Sequence, residues 1–436
     1  MAVRFKSTRG GPDAPTVGLS EAVTAGLAPD GGLYVPTGIP RLRVEDFAGC
    51  KTAAEIAEVL LAPFFEGDRL EPALADICRE TFHFPLPVVP LGDDGNKLAV
   101  LELFHGPTAA FKDVGAGFLA ACLQRLEAGE ERPLDILVAT SGDTGGAVAA
   151  AFHRRPGIRV GILYPDGLVS PRQAHQLSCW GGNVRTWKIE GRFDDCQRLV
   201  KSAFRDPALA GTLRLSSANS INIGRLLPQM VYYATASLNW QRERGERPGF
   251  VIPTGNLGNG FACLLAREIG LPIGEVVLAV NANRTIPDYF DSGEWRPRPS
   301  IATLASAMDV GDPSNVERLN WLFGGRDGIV EQLSARAVDD DEIRAEIAAG
   351  PERWGQVWCP HTATAVRAWE ELPAERRGGP WVLVATAHPA KFETVVEPLV
   401  GVTVPVPPAL AALLDLPARA APLAPAPDAL RAALLS

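Results

Sequence analysis

Hydrophobic and polar positions follow two patterns that alternate along the middle of the chain. Continuous apolar runs of strand length, such as LDILVAT at 134–140, are typical of parallel strands buried on both faces. Other stretches, such as Phe111 to Leu126, repeat apolar residues every three or four positions and predict helices. The predicted strands are 97–104, 134–140, 158–165, 183–191, 212–218, 249–255, 275–283 and 381–387.

This alternation of strands and helices indicates an α/β fold with doubly wound, mainly parallel sheets. The chain divides into an N-terminal domain at 1–96, with an irregular Gly/Pro-rich start and helices, and a smaller α/β domain at 97–245. A larger α/β domain at 246–402 and an Ala/Pro-rich tail at 403–436 follow. The tail is expected either to wrap around the periphery or to be loosely ordered. Ligands in such sheets bind beyond the carboxyl ends of the strands, so polar residues there are the first candidates for a site.

Composition narrows the class of protein. The 436 residues are 46% apolar and 21% charged, which indicates a globular chain with more than one core. A net charge of −9 argues against a broad nucleic-acid surface. The seven cysteines form no CxxC pair and the six histidines lack metal-ligand spacing, so no disulfide framework and no metal site are expected. No apolar segment approaches ~20 residues, so we expect no membrane span and a cytoplasmic protein.

Two glycine-rich loops follow predicted strands. In PTGNLGNG at 253–260, successive glycines and a helix N-terminus can direct backbone N–H groups at a phosphate. The loop lacks the Lys-Ser/Thr of a P-loop and the GxGxxG spacing of dinucleotide oxidoreductases. SGDTGG at 141–146 is a second loop of this kind, which suggests two anionic groups or two ligands. The alternative for either loop is a tight strand-to-helix turn without a ligand.

Lys112 stands at the start of an apolar helix in the segment HGPTAAFKDVG. Its neighbours Phe111 and Val114 would partly desolvate the side chain, which favours the neutral amine. A neutral amine is what Schiff-base formation with an aldehyde requires. A lone lysine at a helix start can also be a simple surface charge, but the two phosphate-type loops favour a chemical role for this one.

Motifs spread over most of the chain resemble those of the threonine synthase family, in its longer form. They occur in the family's order and cover both loops and the lysine. The matching segments are STRG at 7–10, GLAPDGGLYVP at 26–36, ELFHGPTAAFKD at 102–113, ATSGDTGGA at 139–147, SSANSINIGRLLPQ at 216–229, PTGNLGN at 253–259, MDVGDPSNVER at 308–318 and TAHPAKF at 386–392.

The resemblance implies a fold-type-II pyridoxal 5′-phosphate enzyme, similar in architecture to the tryptophan synthase β subunit. It makes Lys112 the Schiff-base lysine, Thr386 the hydrogen-bond partner of the pyridine nitrogen, and Asp143 a neighbour of the ring's phenolic oxygen. The cofactor phosphate would be held by Gly255, Asn256, Leu257, Gly258 and Asn259. The substrate phosphate would be held by Thr144, Asn219, Ser220 and Arg225. Leu257 is a departure, since phenylalanine is usual there.

The implied reaction converts O-phospho-L-homoserine and water to L-threonine and phosphate, the last step of threonine biosynthesis, in a monomer or a homodimer. Alternatives are a phospholyase or serine/threonine dehydratase, which release an α-keto acid, and a non-catalytic relative that binds the cofactor or a phosphorylated metabolite. Asn219 and Ser220 could instead cap a helix, Arg225 could join a salt bridge, and Thr386 could be an ordinary strand residue. His388 and Lys391 receive no role.

Overall fold

The computed structural model describes residues 2–11, 13–92 and 97–436. Its strands are β1 (Phe5–Ser7), β2 (Tyr34–Pro36), β3 (Val88–Pro90), β4 (Leu98–Glu102), β5 (Leu134–Ala139), β6 (Ile158–Pro165), β7 (Val184–Ile189), β8 (Arg214–Ser216), β9 (Gly249–Pro253), β10 (Val276–Val280), β11 (Leu333–Ala337), β12 (Trp381–Ala385) and β13 (Ala421–Leu423).

The α-helices fill most of the remaining chain. They are α1 (Leu19–Ala25), α2 (Ala53–Phe65), α3 (Leu74–Thr81), α4 (Lys112–Leu126), α5 (Asp143–Phe152), α6 (Pro171–Ser178), α7 (Phe193–Phe204), α8 (Pro207–Thr212), α9 (Ile223–Leu226), α10 (Met230–Arg244), α11 (Gly258–Ile269), α12 (Thr285–Ser292), α13 (Val316–Phe323), α14 (Arg326–Gln332), α15 (Asp340–Trp354), α16 (Pro360–Glu370), α17 (Ala374–Arg377), α18 (Glu393–Val400), α19 (Pro408–Leu414) and α20 (Pro427–Leu435). Short 3-10 helices lie at Val44–Phe47, Glu71–Ala73, Leu227–Gln229, Ser306–Met308 and Pro389–Phe392.

The larger sheet has six strands in the order β11-β10-β9-β12-β4-β3. All neighbours are parallel except β3, which runs antiparallel to β4 at the edge. Every residue of β9, β10 and β12 is buried, as expected for parallel strands covered on both faces. The loops after β9, β12 and β4 therefore leave the same edge of the sheet.

The smaller sheet has five parallel strands in the order β13-β7-β6-β5-β8. Its interior strand β5 is buried throughout, and Asp143 begins the helix α5 that follows it. The end of the chain supplies the edge strand β13, and α20 buries Leu430 and Leu434 in the same core as α7. The tail therefore forms a peripheral wrap with regular structure.

The structure confirms an α/β fold of mainly parallel sheets and differs from the predicted division of the chain at two points. Strand β4, assigned from sequence to the smaller domain, pairs with β12 of the larger sheet. Strand β13, assigned to the tail, pairs with β7 of the smaller sheet. Strand order in a parallel sheet depends on crossovers between distant segments, which local hydrophobic patterns do not encode. The three boundaries between the four predicted domains therefore stay predictions.

Candidate active site

The carboxyl ends of strands from both sheets face each other, and side chains join them there. Asn256, in the loop after β9, donates from Nδ2 to Ser220 Oγ in the segment after β8, at 2.7 Å. Lys391, beyond the end of β12, forms an ion pair with Asp143 after β5, with 2.7 Å between Nζ and Oδ1. Both contacts bridge the two sheets, so the candidate residues of both sheets lie in one region, where α/β folds bind ligands.

The turn that carries Lys112 is fastened from several sides. Its Phe111 N–H donates to the Thr386 carbonyl at 2.8 Å, which places the start of α4 beside the end of β12. Asp113 accepts from the Thr108 N–H at 2.8 Å and from the Thr108 hydroxyl, which folds the preceding turn back onto the helix. The Tyr232 hydroxyl donates to the Phe111 carbonyl. The backbone on both sides of Lys112 is thus held in place.

The amine of Lys112 is poised to be neutral. The side chain is partly buried, and its Nζ lies 5.6 Å from the centre of the Phe111 ring. Burial lowers the pKa of Lys112 to about 8, with further lowering by Arg225 and Lys391 and opposition from Asp143. A pKa near 8 leaves an appreciable fraction of neutral amine at physiological pH, which is the form that attacks an aldehyde.

Asp143 is a buried carboxylate with its donors in place. It is 3% exposed, and Oδ1 accepts from both Lys391 Nζ and Gln173 Nε2, the latter at 3.0 Å. Burial by itself would raise the pKa of Asp143, but the positive charges of Lys391 and Lys112 outweigh burial and hold the pKa well below its usual range. Asp143 is therefore ionised across the physiological pH range.

The loop after β9 has the geometry of a phosphate cradle. None of the consecutive backbone N–H groups from Gly255 to Asn259 finds an acceptor among the residues that the structure describes. Leu257 adopts a left-handed conformation, with φ of 63°, and is the N-cap of α11. A Cβ on Gly255 would come within 2.6 Å of Met308 Cα, whereas one on Gly258 would find nothing closer than 3.7 Å. Unclaimed amides at the start of a twelve-residue helix suit a phosphate dianion.

The loop after β5, which the sequence predicts to be a second anion-binding loop, has some amides occupied, while the N–H groups of Ser141, Asp143 and Thr144 find no acceptor among the described residues. The Thr140 hydroxyl accepts from the N–H groups of Gly142 and Gly145, at 3.0 and 2.9 Å, so these amides are taken within the loop. Gly142 has a φ of 139°, a conformation that side-chain-bearing residues rarely adopt. Asp143, which is buried, and Thr144, which is partly exposed, follow this loop. Among the described residues, no hydrogen bond joins the Thr144 side chain to another predicted site residue.

The segment after β8 contains buried polar atoms without protein partners. The Oδ1 atom of Asn219 and the Nε atom of Arg225 are buried and lack a hydrogen-bond partner within the described part of the chain. The guanidinium of Arg225 donates to the Ala218 carbonyl, and across the described residues it forms no ion pair with a carboxylate. Burial lowers the pKa of Arg225 to about 10, so it remains charged at neutral pH. A buried arginine without an anion is poised to bind one.

Arg318, which the sequence reading did not single out, ties this region to the N-terminal part of the chain. It is fully buried and donates to the carbonyls of Tyr34 and Ile221 and to Asn315 Oδ1, at 2.6–3.1 Å. Asn315 in turn donates to the Asn256 carbonyl at 2.8 Å. In the sequence, Arg318 is the last residue of the motif MDVGDPSNVER, which was the available signal for it.

The family models that match this chain are those of pyridoxal-phosphate dependent enzymes at 81–387, the threonine synthase N terminus at 4–82 and the threonine synthase C-terminal region at 362–434. A threonine synthase of Serratia marcescens is 40% identical over 92% of each chain. The chain belongs to the threonine synthase family. Crystal structures of threonine synthase from Escherichia coli and of a pyridoxal-phosphate-bound threonine synthase from Brucella melitensis, 38% and 35% identical, each align over 99% of both chains with a TM-score of 0.90.

Membership of the threonine synthase family makes this chain a pyridoxal-phosphate-dependent lyase, and the geometry above fits that cofactor. The unclaimed amides at Gly255–Asn259 fit its phosphate, and the amine of Lys112 fits its aldehyde. Among the described residues, no helix is long and apolar enough to cross a bilayer, and no cluster of three or more His, Cys, Asp or Glu side chains could hold a metal ion.

Proposed function

We propose that this chain converts O-phospho-L-homoserine and water to L-threonine and phosphate. The observation that supports this reaction most directly is that two separate sets of unsatisfied donors lie in one site. One set is the run of amides at Gly255–Asn259, and the other includes the buried guanidinium of Arg225. The contact between Asn256 and Ser220 joins the two sets. A phosphorylated cofactor and a phosphorylated substrate need two such sets.

The cofactor would be held at three points. Lys112 would bind its aldehyde, Gly255–Asn259 its phosphate, and the hydroxyl of Thr386 its pyridine nitrogen, with Asp143 near the phenolic oxygen. When bound, pyridoxal phosphate supplies a conjugated ring that accepts the electrons left behind when a proton is removed from an amino acid. A neutral hydroxyl such as that of Thr386 would not hold the nitrogen protonated, which favours elimination over transamination.

Lys112 would also move protons. With substrate bound, the amine of Lys112 would be the base that removes the proton from the substrate α-carbon. Its lowered pKa, to about 8, places it in the range where a general base works near neutral pH. Because α4 is fastened on both sides of Lys112, the same amine can serve repeatedly in the proton transfers on one face of the substrate.

The substrate phosphate would lie against Thr144, Asn219, Ser220 and Arg225. Arg225 can offer two N–H groups to two phosphate oxygens in one plane. The phosphate leaves from the γ-carbon, so donors that stabilise the departing dianion assist the reaction as well as binding. A β-proton would leave along with the phosphate, water would add at the β-carbon, and protons would return to the α- and γ-carbons, so that one phosphohomoserine and one water give one threonine and one phosphate.

The experiment that tests this function follows the visible absorbance of the purified protein with and without O-phosphohomoserine, with phosphate release measured in the same cuvette. We expect a yellow protein whose spectrum changes on substrate addition while phosphate appears. Lys112→Ala should lose turnover and keep its melting temperature, because only the reacting amine is removed. Full activity in that variant would remove Lys112 from the mechanism.

We also propose that the enzyme acts in the cytoplasm, as a monomer or a homodimer. The seven cysteines are all free and buried, which is compatible with a reducing compartment. Gel filtration of the full chain at micromolar concentration would decide between one and two copies.

A further inference from the structure

Two lysines of the active site feel the charge of one carboxylate, Asp143, but only one of them pairs with it. Asp143 pairs with Lys391 at 2.7 Å, and within the described residues no ion pair joins it to Lys112. Both charges nevertheless act on Lys112: Asp143 raises the pKa of Lys112 and Lys391 lowers it. A nearby carboxylate favours the protonated form of a lysine, so the choice of partner for Asp143 affects the reactivity of each amine.

Lys391 is enclosed and bonded at its amine end. It is 0% exposed, and besides Asp143 it donates to the Thr108 carbonyl at 2.8 Å. Its own backbone carbonyl accepts from the Ser170 hydroxyl at 2.6 Å, which fixes the segment in place. A fully buried lysine needs acceptors for its N–H groups, and the Asp143 carboxylate and the Thr108 carbonyl supply them.

We propose that Lys391 is a positioning residue for the reaction: by occupying Asp143, it denies Lys112 a counter-ion and leaves the Lys112 amine free to be neutral and to bind the cofactor. The inference rests on the proposed role of Lys112. It also explains why Lys112 rather than Lys391 is the reactive amine, since Lys391 is enclosed and doubly bonded while Lys112 is partly exposed and has no carboxylate partner among the described residues.

The charges around the pair are consistent with this division of roles. Asp143 faces Lys391, Lys112 and His361, and Cys359 lies within reach of its charge. Lys112 faces Asp143, Arg225 and Lys391. His361 is buried with its pKa lowered to about 4 by burial, so it adds no positive charge at neutral pH. Without Lys391, the positive charge that still acts on Asp143 at neutral pH is therefore that of Lys112.

The test measures the pKa of Lys112 directly in the full-length protein freed of cofactor. The protein is labelled with trinitrobenzenesulfonate over a range of pH, and modification of the Lys112 peptide is followed by mass spectrometry. In the unaltered protein we expect the midpoint of Lys112 labelling to lie at about pH 8. In Lys391→Met the midpoint should move up by about one unit or more, because an opposite charge at ion-pair distance shifts a pKa by that amount. Reloading with pyridoxal phosphate at pH 7 should slow in parallel.

A second variant keeps the inference testable if Lys391→Met does not fold. Lys391→Met combined with Asp143→Asn removes both charges and leaves no unpaired buried carboxylate, so it avoids the main cost of the single change. We expect the Lys112 midpoint of this double variant to lie at or below that of the unaltered protein. Lys391→Arg, which keeps the cation, should hold the midpoint low. Lys188→Met, which removes a lysine 3.7 Å from Asp166 at the surface, is the matched control and should change nothing.

The outcomes separate cleanly. The inference is supported if the Lys112 midpoint is raised in Lys391→Met and falls back to the value of the unaltered protein, or below it, in the double variant. An unchanged midpoint in Lys391→Met, or a midpoint raised equally in the double variant, overturns the inference. A lower melting temperature with an unchanged midpoint would show that Lys391 is only structural. The proposed function fails by a different result, the absence of threonine from O-phosphohomoserine with the unaltered enzyme, which the labelling midpoint does not depend on.

Discussion

Gly255 packs directly against the backbone of Met308, so closely that a Cβ at this position would lie 2.6 Å from Met308 Cα and 2.8 Å from its carbonyl oxygen. The next residue, Asp309, accepts from Thr303 and Asn281, which keeps the segment in place. Two pieces of backbone that belong to different loops are thus in contact at the proposed phosphate cradle. A side chain at Gly255 would have to push one of them away.

The first prediction compares Gly255→Ala with Gly258→Ala. The change at Gly255 should weaken cofactor binding by about 1–3 kcal/mol, the usual cost of forcing extra atoms into a packed site. Gly258→Ala is the matched control, because its Cβ would meet nothing closer than 3.7 Å. Equilibrium titration of the cofactor-free proteins with pyridoxal phosphate measures both. Equal affinity in the two variants would place the cradle elsewhere.

The second prediction concerns the substrate phosphate. Arg225→Ala should lower kcat/KM for O-phosphohomoserine by about tenfold to a hundredfold, since a hydrogen bond to a charged group contributes about 1.5–3 kcal/mol. Arg225→Lys should fall between, because it keeps the charge and loses the paired N–H groups. Cofactor absorbance should be unchanged in both. If the melting temperature of these variants falls while the Michaelis constant is unchanged, Arg225 only stabilises helix α9.

The third prediction uses the pH dependence of cofactor loading. With the pKa of Lys112 lowered to about 8, the amine is mostly protonated at pH 7 and mostly neutral at pH 9. The rate of reloading the cofactor-free protein should therefore rise about tenfold between those values and level off above them. Stopped-flow absorbance follows the reaction. A rate that is still climbing steeply at pH 10 would indicate an ordinary lysine.

The fourth prediction concerns acid stability. Burial lowers the pKa of His361 from 6.5 to about 4, and its Nε2 accepts from the Ala307 N–H at 3.1 Å. Between pH 6.5 and 4 the unfolded chain binds a proton at this histidine that the folded chain does not, so the free energy of unfolding falls as the pH falls through this window. His361→Gln keeps an acceptor and removes the titration.

The variant should therefore gain about 2 kcal/mol relative to the unaltered protein between pH 7 and pH 5, as urea midpoints at the two values would report. His388, whose pKa is also lowered by burial, is present in both proteins and cancels in the comparison. A difference between the two proteins that stays constant with pH would show that His361 is not held neutral.

Much of the fold and the site could be predicted from local sequence. The apolar run at 134–140 and the glycine-rich loop after β9 are local signals, since burial on both faces and backbone approach to an anion each select particular residues within a few positions. Lys112 was found in the same way. These features depend on neighbours in the chain, so the sequence displays them directly.

Features that depend on distant partners could not be predicted in this way. Lys391 and Asp143 are 248 positions apart, and nothing in the local sequence of either marks the ion pair that joins them. Arg318 lies in a helix whose charged residues suggest solvent exposure, yet it is 0% exposed because three backbone or amide acceptors from separate segments meet there. Only the assembled fold brings such acceptors together.

We propose that this enzyme adds water to what remains of the substrate after phosphate has left, and so releases threonine. The direct measurement is the amount of threonine and of 2-oxobutyrate formed for each phosphate released from O-phosphohomoserine, by chromatography of the reaction mixture. We predict one threonine per phosphate and no more than traces of 2-oxobutyrate. Phosphate release accompanied by 2-oxobutyrate in place of threonine would contradict the account and identify a phospholyase.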